Sequence, residues 1–189
     1  MIGQNVPNVC LKTRVRDESV GGDNPFRWQD VMTGDLFGKG RQVVFSLPGA
    51  FTPTCSNSQL PGFEALYGEF KAAGVDDIYC VSVNDAFVMY QWGKAQGVRN
   101  VKLLPDGSGN FTRRMGMLIN KDHLGFGFRS WRYAMMIDDG VITHMFVEPG
   151  CNDCGEDADP YGETAPEPIL DWVKANPRNA SANRALADA

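Results

Sequence analysis

Val43-Val44-Phe45-Ser46-Leu47-Pro48-Gly49-Ala50-Phe51-Thr52-Pro53-Thr54-Cys55 is the stretch on which the fold turns. Its apolar start suits a strand buried on both faces, and Pro48-Gly49 ends that strand. Beyond the turn, Leu60, Phe63, Leu66, Tyr67 and Phe70 recur at helical spacing until Ala72-Ala73-Gly74 closes the segment. A helix is therefore predicted from near Cys55, with Pro61 expected to kink it. Further along, Ile78 to Val83 reads as a second buried strand and Ala86 to Ala95 as a helix, with Val101 to Leu104 as a third strand before Pro105-Asp106-Gly107. The order is β-α-β-α-β. Upstream, Val9 to Val15 alternates like a half-buried strand; downstream, Tyr133 to Ile137 and Val141 to Val147 are strands joined by the hairpin signal Asp138-Asp139-Gly140. Pro168 to Ala175 suggests a last helix. The expected architecture is α/β, a central mixed β-sheet with helices on both faces. Residues 1–177 read as one domain and 178–189 as a C-terminal tail, in which Leu186 is the only large apolar side chain.

Composition narrows the function. With 189 residues, 43% hydrophobic and 22% charged, the chain suits a single domain with a substantial core. A net charge of −5 argues against a protein that grips nucleic-acid phosphates or an anionic membrane surface. No apolar run approaches membrane-spanning length, and the N-terminal residues carry no signal- or transit-peptide pattern. Five cysteines, Cys10, Cys55, Cys80, Cys151 and Cys154, fit a reducing compartment, so a cytoplasmic location is expected.

Cys55 is the candidate nucleophile, because the positive end of a helix dipole favours a negative sulfur. A buried structural cysteine is the plain alternative. The neighbours argue against it: Thr52 can bring a hydroxyl beside the sulfur, and Pro48 and Pro53 stiffen the loop and screen it from water. Pro48-x-x-x-Thr52-x-x-Cys55 resembles the active-site signature of the peroxiredoxins, and Leu47 to Ser56 as a whole is similar to their type II, or five-like, subfamily. The resemblance continues through Val81 to Met89, Trp92, Leu104 to Thr112 and Gly127 to Tyr133, covering residues 5–149.

That resemblance implies a thioredoxin-like fold and a thiol-dependent peroxidase acting on hydrogen peroxide and organic hydroperoxides, with no cofactor and no metal. It implies that Cys55 attacks the peroxide and becomes a sulfenic acid, with Pro48, Thr52 and Arg132 completing the catalytic set. Thr52, Arg132 and Phe51 would face the substrate, and Arg129 is a second candidate arginine. The sulfenic acid must be reduced by a thiol. Cys80 matches the position of a resolving cysteine in plant relatives, while Cys151 and Cys154 lie near the region of the animal one without aligning to it. The Cys151-x-x-Cys154 pair also reads as a redox dithiol, half a zinc site with His144 and Asp153 nearby, or two ordinary loop residues. Glutathione with glutaredoxin is the expected reductant if Cys55 works alone, and thioredoxin if an internal disulfide forms.

Cys10 reads as core. Phe51, Phe128 and Trp131 are candidate contacts of a homodimer of the kind the resemblance implies, or else core aromatics, and Phe126 and Phe128 could form an apolar collar for alkyl hydroperoxides. A disulfide oxidoreductase would normally carry two cysteines at the first strand-to-helix turn, and a Cys-His hydrolase would need His123 or His144 beside Cys55. A redox relay or chaperone-like protein using the same cysteine is the alternative function.

Overall fold

In the computed structural model, which describes residues 1–156 and 158–178, the apolar run before Pro48 becomes β3 (Arg41–Leu47), buried along its whole length. It lies at the centre of a five-stranded sheet. On one side β4 (Asp77–Ser82) and then β5 (Lys102–Pro105) run parallel to it; on the other, β8 (Tyr133–Asp138) and then β9 (Val141–Val147) continue antiparallel. The sheet is mixed, as expected.

Side chains alternate across it with the period-two rule of a strand. Val43, Phe45, Leu47, Ile78, Cys80, Ala134 and Met136 face one core layer, closed by α2 (Leu60–Ala72), α3 (Ala86–Ala95) and α5 (Pro166–Ala175). Val44, Tyr79, Val81, Met135 and Ile137 face the other, closed by α1 (Thr33–Phe37) and α4 (Asn110–Arg114). Cys55 and Cys80 therefore belong to the same layer. The hairpin at Asp138-Asp139-Gly140 forms as read, with φ of +47° at Asp139 and +84° at Gly140, as a primed turn requires.

Several expectations change. The half-buried strand read at Val9 to Val15 forms as β1 (Cys10–Arg16), outside the main sheet, and pairs with the unforeseen β2 (Phe26–Met32), a largely exposed strand whose Phe-Arg-Trp-Gln-Asp-Val-Met pattern hides its periodicity. Cys10 is consequently part-exposed rather than core. The short pair β6 (Leu118–Asn120) and β7 (Phe128–Ser130) also escapes notice in the sequence. Trp131, a candidate dimer contact, is 1% exposed and donates its indole N–H to Glu148 O at 2.9 Å, so it fills the core instead. The last helix begins at Pro166, ahead of Pro168, since proline suits a first helical turn.

The break expected at Pro61 takes another form. Helical backbone starts at Pro53, winds as a π turn over Cys55–Gln59, and continues as α2 with Pro61 in its first turn. Leu60 N–H reaches back to Cys55 O, and Pro61 has no N–H with which to hold an ordinary α turn. Of the expected tail, residues 179–189 lie outside the described residues. No helix of the described residues is long and apolar enough to cross a membrane.

Candidate active site

Strand β3 delivers the chain to Pro48, and the next turn carries it into the helix with Cys55 in the first helical turn. The sulfur is fully buried. Arg132, just before β8, is 2% exposed, and its Nη1 lies 3.5 Å from Cys55 Sγ. The sequence-predicted pair Cys55 and Arg132 is thus brought together. Arg132 Nη1 also donates to Gln59 Oε1 at 2.6 Å, Nη2 to Asp159 Oδ1 at 2.5 Å, and Nε to Pro160 O at 3.1 Å; the Tyr161 ring centroid is 5.6 Å from its Cζ. Burial works against the guanidinium charge, but the Cys55 sulfur and the Asp159 carboxylate outweigh it and raise the group above its ordinary value.

A second tier holds these partners. Gln59 Nε2 donates to Thr164 Oγ1 and O, and Glu148 Oε1 accepts from Gly162 N, Thr164 N and Thr164 Oγ1, each at 2.8 Å. Ser56, beside the nucleophile, accepts the indole N–H of Trp92 at 3.0 Å. Burial, with Glu167 next in order, pushes the Tyr161 phenol up to about 12, so it stays neutral at physiological pH.

Thr52 donates its hydroxyl to Gly49 O at 2.8 Å, so what its oxygen has left to offer is a lone pair. A cavity of about 110 Å³ opens there, lined by Pro48, Gly49, Ala50, Thr52, Asn84, Phe126 and Arg129. Arg129 reaches Val83 O and Phe126 O and stands at this cavity, not at the sulfur. Phe51, with φ of +64°, is 56% exposed, and Phe128 is 59% exposed. A larger groove of about 510 Å³ lies elsewhere, between β1, α3 and β5, and contains none of these groups.

The remaining cysteines separate by environment. Cys80 sits within β4, between Phe45 of β3 and Leu103 of β5; burial, and after it the charge of Cys55, pushes its thiol well above the usual range. Cys151 and Cys154 are exposed in the segment after β9. That segment is docked by Asp153, which accepts from Asn120 N at 2.6 Å. His144 stacks on Trp172, 4.5 Å between ring centroids, with the Phe146 ring at 4.6 Å. Among the described residues no three His, Cys, Asp or Glu side chains converge as a metal site.

Gln59, Glu148, Asp159, Tyr161 and Thr164 escape the sequence reading. Gln59 left a signal, a polar residue on the stripe that carries Phe63 and Phe70. The others come from an irregular segment with no periodicity to read.

The redoxin family model matches residues 27–159. A peroxiredoxin of Rhizobium etli is 61% identical over 173 residues, covering 91% of this chain and 96% of its own. Among solved structures, reduced Prx3 of Vibrio vulnificus in complex with hydrogen peroxide matches with a TM-score of 0.77 at 37% identity, over 92% of this chain and 96% of that one. The Plasmodium falciparum antioxidant protein, a 1-Cys peroxiredoxin, matches with a TM-score of 0.84 at 32% identity, over 92% and 99%.

Proposed function

The chain belongs to the peroxiredoxin family and has its thioredoxin-like fold, and from that premise we propose that Cys55 is the peroxidatic residue of a peroxidase for hydrogen peroxide and organic hydroperoxides. The thiol-dependent peroxidase activity and its antioxidant role come with the family. The observation that carries the assignment of the site is the buried Cys55 sulfur in a first helical turn, 3.5 Å from a buried guanidinium.

In the proposed reaction the Cys55 thiolate attacks the terminal peroxide oxygen in line with the O–O bond. An S–O bond forms as the O–O bond breaks; Cys55 becomes a sulfenic acid, and the departing oxygen takes a proton to leave as water or an alcohol. Arg132 stabilises the charge that moves from sulfur to oxygen, and Thr52, its own proton held by Gly49, accepts the peroxide O–H. Pro48 walls the cavity, and the exposed Phe126 at its rim admits an alkyl group.

For the reductant, glutathione with glutaredoxin is favoured over thioredoxin. Cys80 would have to leave a strand paired on both sides, and its raised thiol makes it a poor nucleophile while the sheet is intact. Cys151 and Cys154 are accessible, and they are the internal alternative. A homodimer is proposed around Phe51, Phe126 and Phe128, large exposed apolar side chains of the active-site turn and of the β6–β7 hairpin. The cysteine content supports a cytoplasmic setting.

The test is intact-mass analysis of the reduced protein after one equivalent of hydrogen peroxide, with a dimedone trap and non-reducing peptide maps, beside Cys55→Ser. A trapped Cys55 sulfenic acid, absent in Cys55→Ser together with turnover, is expected. A Cys55→Ser protein with full activity would overturn the assignment; a disulfide from Cys55 to Cys80, Cys151 or Cys154 would replace glutaredoxin with thioredoxin.

A further inference from the structure

We propose that Asp159 is a positioning residue that sets how much of the Arg132 charge reaches Cys55, so that the carboxylate restrains the ionisation of the nucleophile. Arg132 is one delocalised cation shared between a sulfur and a carboxylate: Nη1 faces Cys55 Sγ, and Nη2 faces Asp159 Oδ1 at 2.5 Å. Among the described residues Asp159 is its only ion-pair partner. The two ends differ in solvent access. The Arg132 side chain is 2% exposed and that of Asp159 is 43% exposed, so the carboxylate stays largely in contact with water while it pairs with a buried cation.

Asp159 is also held in place against its own preference. Its φ is +51°, in the left-handed region, and the next residue is Pro160, whose ring further restricts the backbone before it. Such a conformation persists only where the surroundings over-determine it. Here they do: Glu148, whose N–H bonds Arg132 O, ties Gly162 and Thr164 to its carboxylate, and Pro160 O accepts Arg132 Nε. The carboxylate is thereby fixed one guanidinium away from the sulfur, at most about 8 Å through the 3.5 and 2.5 Å contacts on its two nitrogens.

The charged and titratable groups facing this pair can be named from each side. From β4 comes Cys80, buried and neutral; from the π turn comes Gln59, uncharged; from the segment after β9 come Glu148, engaged by Thr164, and Tyr161, with Glu167 beyond it. Asp159 is the one anion of this set that touches the guanidinium. Removing its charge while keeping its shape leaves the full Arg132 charge to the sulfur, and at an effective dielectric near 20 to 40 a charge at that distance is equivalent to about one pH unit.

The inference rests on the pairing of Cys55 with Arg132, and its deciding readout is a thiol titration that uses no peroxide. Thiolate absorbance at 240 nm is titrated in the full chain, with the signal of Cys55→Ser subtracted, for wild type, Asp159→Asn and Asp159→Ala. Asparagine tolerates the left-handed backbone and still accepts from Nη2, so Asp159→Asn should keep the thermal midpoint and lower the titration midpoint by about one unit. Asp159→Ala also removes the oxygen that holds Nη2, so the guanidinium can turn from the sulfur and the oxidation of Cys55 by peroxide, followed by stopped-flow tryptophan fluorescence, should slow about 10-fold despite the released charge, with asparagine restoring the rate. An unmoved or raised titration midpoint in Asp159→Asn overturns the proposal, including when the thermal midpoint falls, since Asp159 is then only a loop anchor. A wild type that ionises as expected yet fails to reduce peroxide would instead defeat the peroxidase assignment.

Discussion

Gln59→Leu probes whether Arg132 is aimed by its neighbours. Gln59 is fully buried; it takes a 2.6 Å bond from Arg132 Nη1 and gives two longer ones, 3.2 and 3.3 Å, to Thr164. Leucine fills nearly the same volume, so little cavity forms and the loss is polar. A hydrogen bond to a charged group is worth about 1.5 to 3 kcal/mol, and the buried guanidinium would keep only the sulfur on that nitrogen. Thr164 Oγ1 stays satisfied by Glu148, which limits the cost on that side. A net loss of about 2 kcal/mol follows, or roughly 4 to 8 °C in Tm for a chain of this size. Arg132 would also swing from its line with the sulfur, and a displacement of about 1 Å at a reacting centre costs up to about 100-fold in rate. Thermal melts and stopped-flow peroxide oxidation, run on the same preparation, read both effects. A Tm within about 1 °C of wild type together with a rate within about two-fold would show that Gln59 does not aim the arginine.

Two further predictions test the packing around the site. His144 is held below its ordinary value by burial, so the unfolded chain binds its proton more readily. Its contribution is present above the unfolded value near 6.5 and is lost as pH falls through the lowered folded one, so urea melts at pH 7.5 and 5 should show a loss that His144→Phe lacks. Equal losses in the two proteins would remove His144 from the pH dependence. Gly62→Ala would place a methyl 2.8 Å from Pro166 Cγ, where α2 meets α5. The helix-propensity gain of about 1 kcal/mol is outweighed by overpacking of about 1 to 3 kcal/mol, so the denaturant midpoint should fall, and a rise would reveal slack between the helices.

The centre of the sheet was legible because β3, β4 and β8 are buried on both faces and read as apolar runs, as at Val43 to Leu47. Cys55 and Thr52 were legible because a strand, a proline-bounded turn and a helix announce themselves locally. Arg132 was not: nothing in its spacing distinguishes it from Arg129, and only the family pattern separated them before the structure placed one at the sulfur and the other at the cavity. For Trp131 the sequence offered a dimer contact or a core aromatic, and the structure takes the second: the residue is buried, with Lys121 Nζ 5.4 Å from its ring centroid. Cys10 was misread because alternation marks a strand without saying which sheet receives it. Asp159 had no signal at all. Its role depends on an irregular backbone that brings it back to a residue 27 positions away, and no periodicity encodes that return.

The π turn over Cys55–Gln59 gives the helix two phases. A π turn holds one residue more than the α-helix around it, so the residues before Leu60 are rotated, by about 100° for one residue, relative to where an uninterrupted α-helix would put them. The half carrying Leu60, Phe63 and Phe70 is keyed to the sheet; the half carrying the sulfur is keyed to Arg132. Aim and adhesion are thus written on one helix in different registers. Losing a single residue between them would let the core half stay seated while the thiol points past its partner, a folded protein with its chemistry out of step.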